Sequence, residues 1–352
     1  MSKFFTNRLA ALTPYTPGEQ PRDRKYIKLN TNESPFPPSQ RAQEAAAEAA
    51  KSLQLYPDPT YLALHTAIAD YHGLSTDEVL VTNGSDEILN FAFMAFCDEQ
   101  SPAVFPDITY GFYSVFATLN HVPYTEIPLQ ADFSLDKAAM TAAKGTLFIA
   151  NPNAPTGLAL SAAEIEEIVA ANRERVVVVD EAYVDFGGES VVPLVRRYDN
   201  LLVTRTFSKS RSMAGARLGY GVGAPALIAD LNTVKYSTNP YNVNSMSAAA
   251  GLGVMADEAY TQQNCKTIIK NRESTQTALK SLGFEVTDSR GNFMFVRHPR
   301  FDGKTIYSAL RERGILVRHF SRAPIADYNR ITVGTAEEMA ALVAALSEIT
   351  KE

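Results

Sequence analysis

The 352-residue sequence predicts an α/β fold, with a large, doubly wound, mostly parallel sheet followed by a smaller α/β domain. Three observations carry this expectation. Strand-like and helix-like segments alternate from about residue 55 to about residue 235, the rhythm of repeated β–α units. The four valines at 176–179 show no polar alternation, which suits a strand covered by helices on both faces. Past Asn239-Pro240 the pattern changes to a long helical stretch and then short strands. The resulting division is an arm with part of the small domain over 1–38, a large domain over 39–240 and a small C-terminal domain over 241–352.

In chain order, the first thirty or so residues carry Pro14, Pro17 and Pro21 and no clean periodicity, so they read as an extended arm. Ser39 can cap an alanine-rich helix, which YPDPT (56–60) breaks before a second helix runs to about His72. A strand at 79–82 leads into a helix at 85–97. Weaker signals mark a strand near 103–105, a helix near 111–120 and a strand near 123–127. A strand at 147–150 precedes a helix at 161–171, where Ser161 and Glu164 have capping-box spacing. The valine strand follows, then strands at 201–204 and 218–222. Beyond residue 240 the pattern predicts one helical stretch over 245–282, strands at 293–296, 315–318 and 331–333, and a closing helix.

Lys plus Arg total 33 and Asp plus Glu 39, a net charge of −6 without any basic block. That leaves no electrostatic reason to expect nucleic acid or an anionic membrane as partner. No apolar run approaches the ~18 residues of a membrane helix, and the start lacks the continuous apolar stretch of a secretory signal. A cytoplasmic protein is expected. Cys97 and Cys265 form no CxxC pair; they read as reduced core thiols, and no metal site is expected.

In a doubly wound sheet, ligands bind beyond the carboxyl ends of the strands, and four such ends carry unusual residues. Asn83-Gly84-Ser85-Asp86-Glu87 is a glycine turn opening a helix, either an ordinary capped start or an anion site of exposed amides plus the Ser85 hydroxyl. It matches neither GxGxxG nor GxxxxGK[ST], which disfavours dinucleotide and P-loop readings. NPNAPTG (151–157) is a rigid turn with two asparagine amides. Asp180 ends the valine strand, where a carboxylate costs desolvation unless it meets a cation or donors. Lys209 follows Thr206 and Ser208, with Arg217 eight residues later; a neighbouring cation and partial burial favour a nucleophilic amine. Together these suit pyridoxal phosphate. That cofactor needs a lysine for its Schiff base, a carboxylate at its ring nitrogen, and a phosphate cup of helix amides, hydroxyls and an arginine.

The strings LTPY (12–15), KLNTNESPFPPS (28–39), YPDP (56–59), NGSDEIL (83–89), TYGFY (109–113), NPNAPTG, DEAY (180–183), TFSKS (206–210), PYNVN (240–244) and RITVGT (330–335) span nearly the whole chain. In this order they resemble the fold-type I pyridoxal-phosphate aminotransferases, most closely the histidinol-phosphate aminotransferase family. The resemblance implies that Lys209 is the Schiff-base lysine and proton carrier, Asp180 the partner of the pyridine nitrogen, and Tyr183 a contact of the ring O3′. It implies Tyr110 stacked on the ring, with Gly84, Ser85, Asp86, Thr206, Ser208 and Arg217 holding the phosphate. Tyr56 would reach the phosphate from a neighbouring subunit, making a homodimer with a shared site. Arg330, with Arg318 and Tyr15, would hold substrate, so that L-histidinol phosphate and 2-oxoglutarate exchange an amino group. The chain departs from the family at Ala154, which stands where an asparagine is usual, and the O3′ contact is then expected from Asn153. Alternatives are an aromatic amino-acid aminotransferase, with Arg330 on an α-carboxylate, and a pyridoxal-phosphate-dependent decarboxylase of an amino-acid phosphate.

Overall fold

The computed structural model describes residues 2–351. The strands are β1 (Ile27–Lys28), β2 (Val79–Thr82), β3 (Ala103–Pro106), β4 (Tyr124–Ile127), β5 (Thr146–Ala150), β6 (Val177–Asp180), β7 (Leu201–Thr206) and β8 (Gly219–Gly223). The later ones are β9 (Glu285–Val286), β10 (Phe293–Arg297), β11 (Ile315–Leu316), β12 (Arg318–His319) and β13 (Asn329–Thr332). Seven form one sheet in the order β2-β8-β7-β6-β5-β3-β4, parallel except for β8, which runs antiparallel to both neighbours.

The unbroken apolar runs of β5, β6 and β7 follow from their two-sided burial. Leu147, Ile149, Val177, Val179, Leu201 and Val203 enter one core, packed with Leu64, Ile68, Ile165 and Ile168. The alternate residues Phe148, Val178 and Leu202 enter a second core on the opposite face, with Leu89, Phe93 and Phe116. Each such side chain contributes about 1.5–3 kcal/mol on removal from water, so neither face accommodates polar residues. The helix starts are set locally: Ser39 Oγ accepts the Ala42 amide at the head of Gln40–Ala49, and Ser161 and Glu164 form the expected capping box on Ala162–Ala171.

The smaller unit holds the sheet β12-β13-β10-β9 and its own core, which includes Leu29, Ile268, Leu310, Ile331 and Leu342. Its N-terminal contribution is concrete, since β1 pairs in parallel with β11. Two expectations need correction here. The stretch 245–282 is two helices, Ser245–Met255 and Glu258–Ser281, broken at 256–257. Val243, Ala250 and Val254 pack in the large-sheet core, whereas Cys265 and Leu279 pack in the small one, so the packing changes core near residue 257. The strand expected over 315–318 divides at Val317, with β11 pairing to β1 and β12 to β13. Among the described residues no helix is long and apolar enough to cross a membrane.

Register brings Ala150, Asp180 and Thr204 side by side at the carboxyl edge of the sheet. On the other side of β7, β8 brings Gly219 against the Gly84-Ser85 turn, where an added Cβ would lie 2.5 Å from Gly84 C and from Ser85 N. Backbone cannot retreat from such an overlap as a flexible side chain can. Gly219→Ala is therefore expected to destabilise the protein by about 1–3 kcal/mol, read as a lower midpoint in thermal unfolding; an unchanged midpoint would show that the turn yields freely.

Candidate active site

A cavity of about 410 Å³ opens at that sheet edge, lined by Ser85, Asp86, Asp180, Tyr183, Thr206, Ser208, Lys209 and Arg217. Asp180 stands in it with 5% exposure. Its Oδ1 accepts from Thr204 Oγ1 at 3.1 Å and from the Ala182 amide at 3.2 Å, and Oδ2 from the Tyr113 hydroxyl at 3.5 Å. All three donors are neutral. Burial accordingly pushes the Asp180 carboxyl up to about 6, because the hydrogen bonds only partly offset lost hydration. Lys209 Nζ lies 5.6 Å from the Tyr183 ring centroid and donates to Thr31 O at 3.4 Å.

The anion end of this cavity is the start of the helix Ser85–Phe96, with Gly84 as N-cap at φ 80°. Arg217, in left-handed backbone at φ 51°, directs its guanidinium at the same turn. Its NH2 pairs with Asp86 Oδ2 at 3.0 Å and its NH1 donates to Ser208 Oγ at 3.4 Å. The Tyr110 hydroxyl donates to Asp86 Oδ1 at 2.6 Å. Asp86 thus aims Arg217 and Tyr110; a carboxylate facing a phosphate would repel it, so the amides, hydroxyls and guanidinium are the anion ligands of this cup.

A second cavity, about 460 Å³, shares Tyr110, Tyr183 and Lys209 and extends towards the small domain. Arg330 lines it, donating from NH2 to Asn30 O at 3.2 Å while its buried Nε has no partner. Burial lowers the guanidinium's affinity for its proton. Arg318 donates to Thr16 O and Pro17 O at 3.0 and 3.2 Å, and Tyr15 stacks on Phe112 with ring centroids 4.3 Å apart. Arg322, which the sequence did not single out, also lines this cavity and donates to Asp107 O.

Two expected residues lie elsewhere. Asn153 does not reach the cofactor-sized cavity: its Nδ2 donates to Ile108 O and Thr156 Oγ1, and its Oδ1 accepts from Thr109. Asn151 is spent on the Leu160 backbone. The residue of this turn facing both cavities is Ala154, with a methyl group. Tyr56 is 81% exposed and stacks on Tyr241, away from both cavities. Conversely, the structure adds Tyr113, Thr204 and Asn32, whose Nδ2 donates to the Tyr183 hydroxyl at 3.0 Å. Asn32 and Tyr113 fall within the strings KLNTNESPFPPS and TYGFY, but no local signal assigns any of the three its partner, which lies 24 to 151 residues away.

The residues fit pyridoxal phosphate on their own chemistry. A buried carboxylate with only neutral donors calls for a cation such as a protonated pyridine nitrogen, an anion cup stands at one end, and a lysine amine faces the cavity between. Fold and site define a pyridoxal-phosphate-dependent transferase of fold type I. The family model of aminotransferase class I and II matches residues 24–346. The chain belongs to that family, in its histidinol-phosphate aminotransferase branch. It is 47% identical to the histidinol-phosphate aminotransferase of Chromohalobacter salexigens over 100% of both chains. It is 49% identical to histidinol-phosphate aminotransferase 2 of Thiobacillus denitrificans over 99% of this chain and 98% of that one. The histidinol-phosphate aminotransferase of Sinorhizobium meliloti, solved in complex with pyridoxal-5′-phosphate, shares the fold at a TM-score of 0.88 and 24% identity, covering 100% of this chain and 98% of that one.

The raised Asp180 carboxyl has a stability consequence with a definite sign. Between the unfolded value of 3.8 and about 6 the native state holds more protons than the unfolded state, so cofactor-free stability is lost as pH rises through that window. Asp180→Asn in the cofactor-free protein should remove this slope and leave the variant more stable than the parent above pH 6, by roughly 3 kcal/mol at most. Urea unfolding at pH 4.5 and 7.5 tests this; a variant destabilised equally at both would contradict it.

Proposed function

We propose that the protein moves the amino group of L-histidinol phosphate to 2-oxoglutarate, giving imidazole acetol phosphate and glutamate, as a step of histidine biosynthesis in the cytoplasm. The observation carrying this reading is the half-buried Arg330 side chain, whose buried Nε has no partner, in a cavity also lined by Lys209 and Arg318. A planar guanidinium binds phosphate and carboxylate alike through paired N–H donors, so one pocket can take a phosphorylated amine and a dicarboxylate in turn. The curated relatives named histidinol-phosphate aminotransferase at 47% and 49% identity support the choice of substrate.

Bound in the first cavity, pyridoxal phosphate supplies an aldehyde for the amine and a ring that accepts the electron pair of a broken Cα–H bond. This chain's residues do the rest. Lys209 Nζ serves as the base that takes the proton from the substrate Cα and later returns one. Asp180 keeps a proton on the pyridine nitrogen: its buried carboxylate gains its missing cation only while that nitrogen is charged. Thr206, Ser208, Arg217 and the Gly84-Ser85 turn hold the phosphate, while Tyr110 stacks on the ring and hydrogen-bonds Asp86. Arg330 and Arg318, with Tyr15, orient the substrate's anionic end away from the reacting carbon.

A homodimer with shared sites completes the reading. Leu53, Leu55, Tyr56 and Leu62 are exposed large hydrophobics, with Tyr236 and Tyr241 exposed beside them, and the two stretches meet in the Tyr56–Tyr241 stack and the Tyr236 hydrogen bond to Pro59 O. Such a patch fits a second copy of the chain, from which Tyr56 would reach the other subunit's phosphate cup.

The test is a single half-reaction of the purified holoprotein, followed as loss of the visible absorbance of the lysine-bound cofactor. L-Histidinol phosphate should react much faster than L-phenylalanine or L-tyrosine; the reverse order would make this an aromatic amino-acid aminotransferase, and carbon dioxide released from an amino-acid phosphate such as L-threonine O-3-phosphate, offered separately, would make it a decarboxylase. Lys209→Ala should abolish turnover. Arg330→Gln should lower kcat/KM for histidinol phosphate by about 10–100-fold, the loss of a charge-assisted hydrogen-bond pair.

A further inference from the structure

Asn32 is buried to 1% exposure and held in the left-handed region at φ 55°, which asparagine tolerates better than most side chains. Four hydrogen bonds fix it. Its amide donates to Thr332 Oγ1 at 2.9 Å, its carbonyl accepts from Asn292 Nδ2 at 3.0 Å, and its Oδ1 accepts from Thr332 Oγ1 at 3.0 Å. The fourth runs from Nδ2 to the Tyr183 hydroxyl at 3.0 Å. Thr332 decides which way the side-chain amide points. The buried Thr332 hydroxyl has one proton, and Asn32 Oδ1 is its acceptor; a flipped amide would strand that proton without a partner.

The orientation matters for Tyr183. A phenol has one proton; because Tyr183 accepts from Asn32, that proton is free to be donated into the cavity that Tyr183 lines. The neighbouring turn offers nothing equivalent, since Ala154 presents a methyl while Asn151 and Asn153 direct their amides elsewhere. We propose that Asn32 is a positioning residue that locks Tyr183 as a donor to the cofactor's ring oxygen, and that with Ala154 in the turn this pair sets the protonation equilibrium of the lysine-linked cofactor. The physics is direct. A donor on the ring oxygen draws electron density from it and loosens that oxygen's hold on the proton it shares with the lysine nitrogen, so the proton leaves at lower pH. Asn32 thereby links β13, which carries Thr332, and Asn292 just before β10 to Tyr183, three residues past the end of β6.

The inference rests on the pyridoxal-phosphate reading, and its test uses the substrate-free holoprotein, titrated with pH through its visible absorbance. Asn32→Ala should raise the titration midpoint by about one unit, the scale of one hydrogen bond to a charged group. Tyr183→Phe should also raise it, and Asn32→Ala should add nothing in the Tyr183→Phe background. Ala154→Asn should lower the midpoint by supplying a second donor. Thr332→Val, which removes the hydroxyl that orients the amide, should move it upward and carries the test if Asn32→Ala does not hold cofactor. An unmoved midpoint in Asn32→Ala or Thr332→Val with cofactor bound, or additive shifts in the double variant, overturns the proposal. A parent protein showing no visible band would instead remove the cofactor reading itself.

Discussion

Asp180 ends a strand whose other residues are apolar and covered on both faces, and its carboxylate meets only neutral donors there. Removing a carboxylate from water costs several kcal/mol unless a cation or a full set of donors replaces the hydration, and the upward shift of its carboxyl registers the unpaid part. The rest of the site is arranged around that deficit. Ser85 of the helix-start turn, Arg217, the Lys209 amine and Tyr110 line the same cavity as Asp180. A cation beside Asp180 would supply the compensation that its neutral donors leave undone.

The residue next in sequence shows the alternative. Glu181, also fully buried, points away from the cavity and lies 3.5 Å from Arg205 NH1, with Ser190 and the Val191 amide as further donors. Arg205 also pairs with Asp185, which accepts from Ser210 Oγ at 2.5 Å, and Arg211 pairs with Glu258 at 2.8 Å. This network ties the segment carrying Asp180 and Tyr183 to the segment carrying Lys209 through residues that do not line the Asp180 cavity. Removing one partner of such a buried pair typically costs 3–5 kcal/mol, so the lysine loop is anchored by charges that never touch substrate. Consecutive carboxylates, Asp180 and Glu181, therefore serve opposite ends: one left open for a ligand, the other closed by the protein.

The arm formed by the first thirty-odd residues joins the two units at the site. Arg318 and Asn30 hold its backbone at Thr16, Pro17 and Glu19, while Glu19 in turn accepts from Tyr307 and Arg311. Tyr15 and Asn32 are thereby placed against the large domain by contacts made on the small one. The substrate cavity has its walls in three stretches far apart in sequence, and none of them is complete without the others.

Much of this was legible in the chain itself because it is written locally. The buried strands appear as apolar runs, the helix at residue 162 announces itself by Ser161 and Glu164, and Asp180, Lys209 and Arg217 stand out as polar residues at the ends of apolar strands. What the sequence could not decide is which groups become neighbours once strands order themselves. The antiparallel placement of β8, the change of core near residue 257, the Tyr113 and Thr204 hydrogen bonds to Asp180, the turning of Asn153 away from the cavity and the grip of Asn32 on Tyr183 all depend on residues dozens to hundreds of positions apart. Periodicity and capping are properties of a few consecutive residues; the direction of one amide or hydroxyl is fixed by whichever donor or acceptor the tertiary fold brings within 3 Å of it.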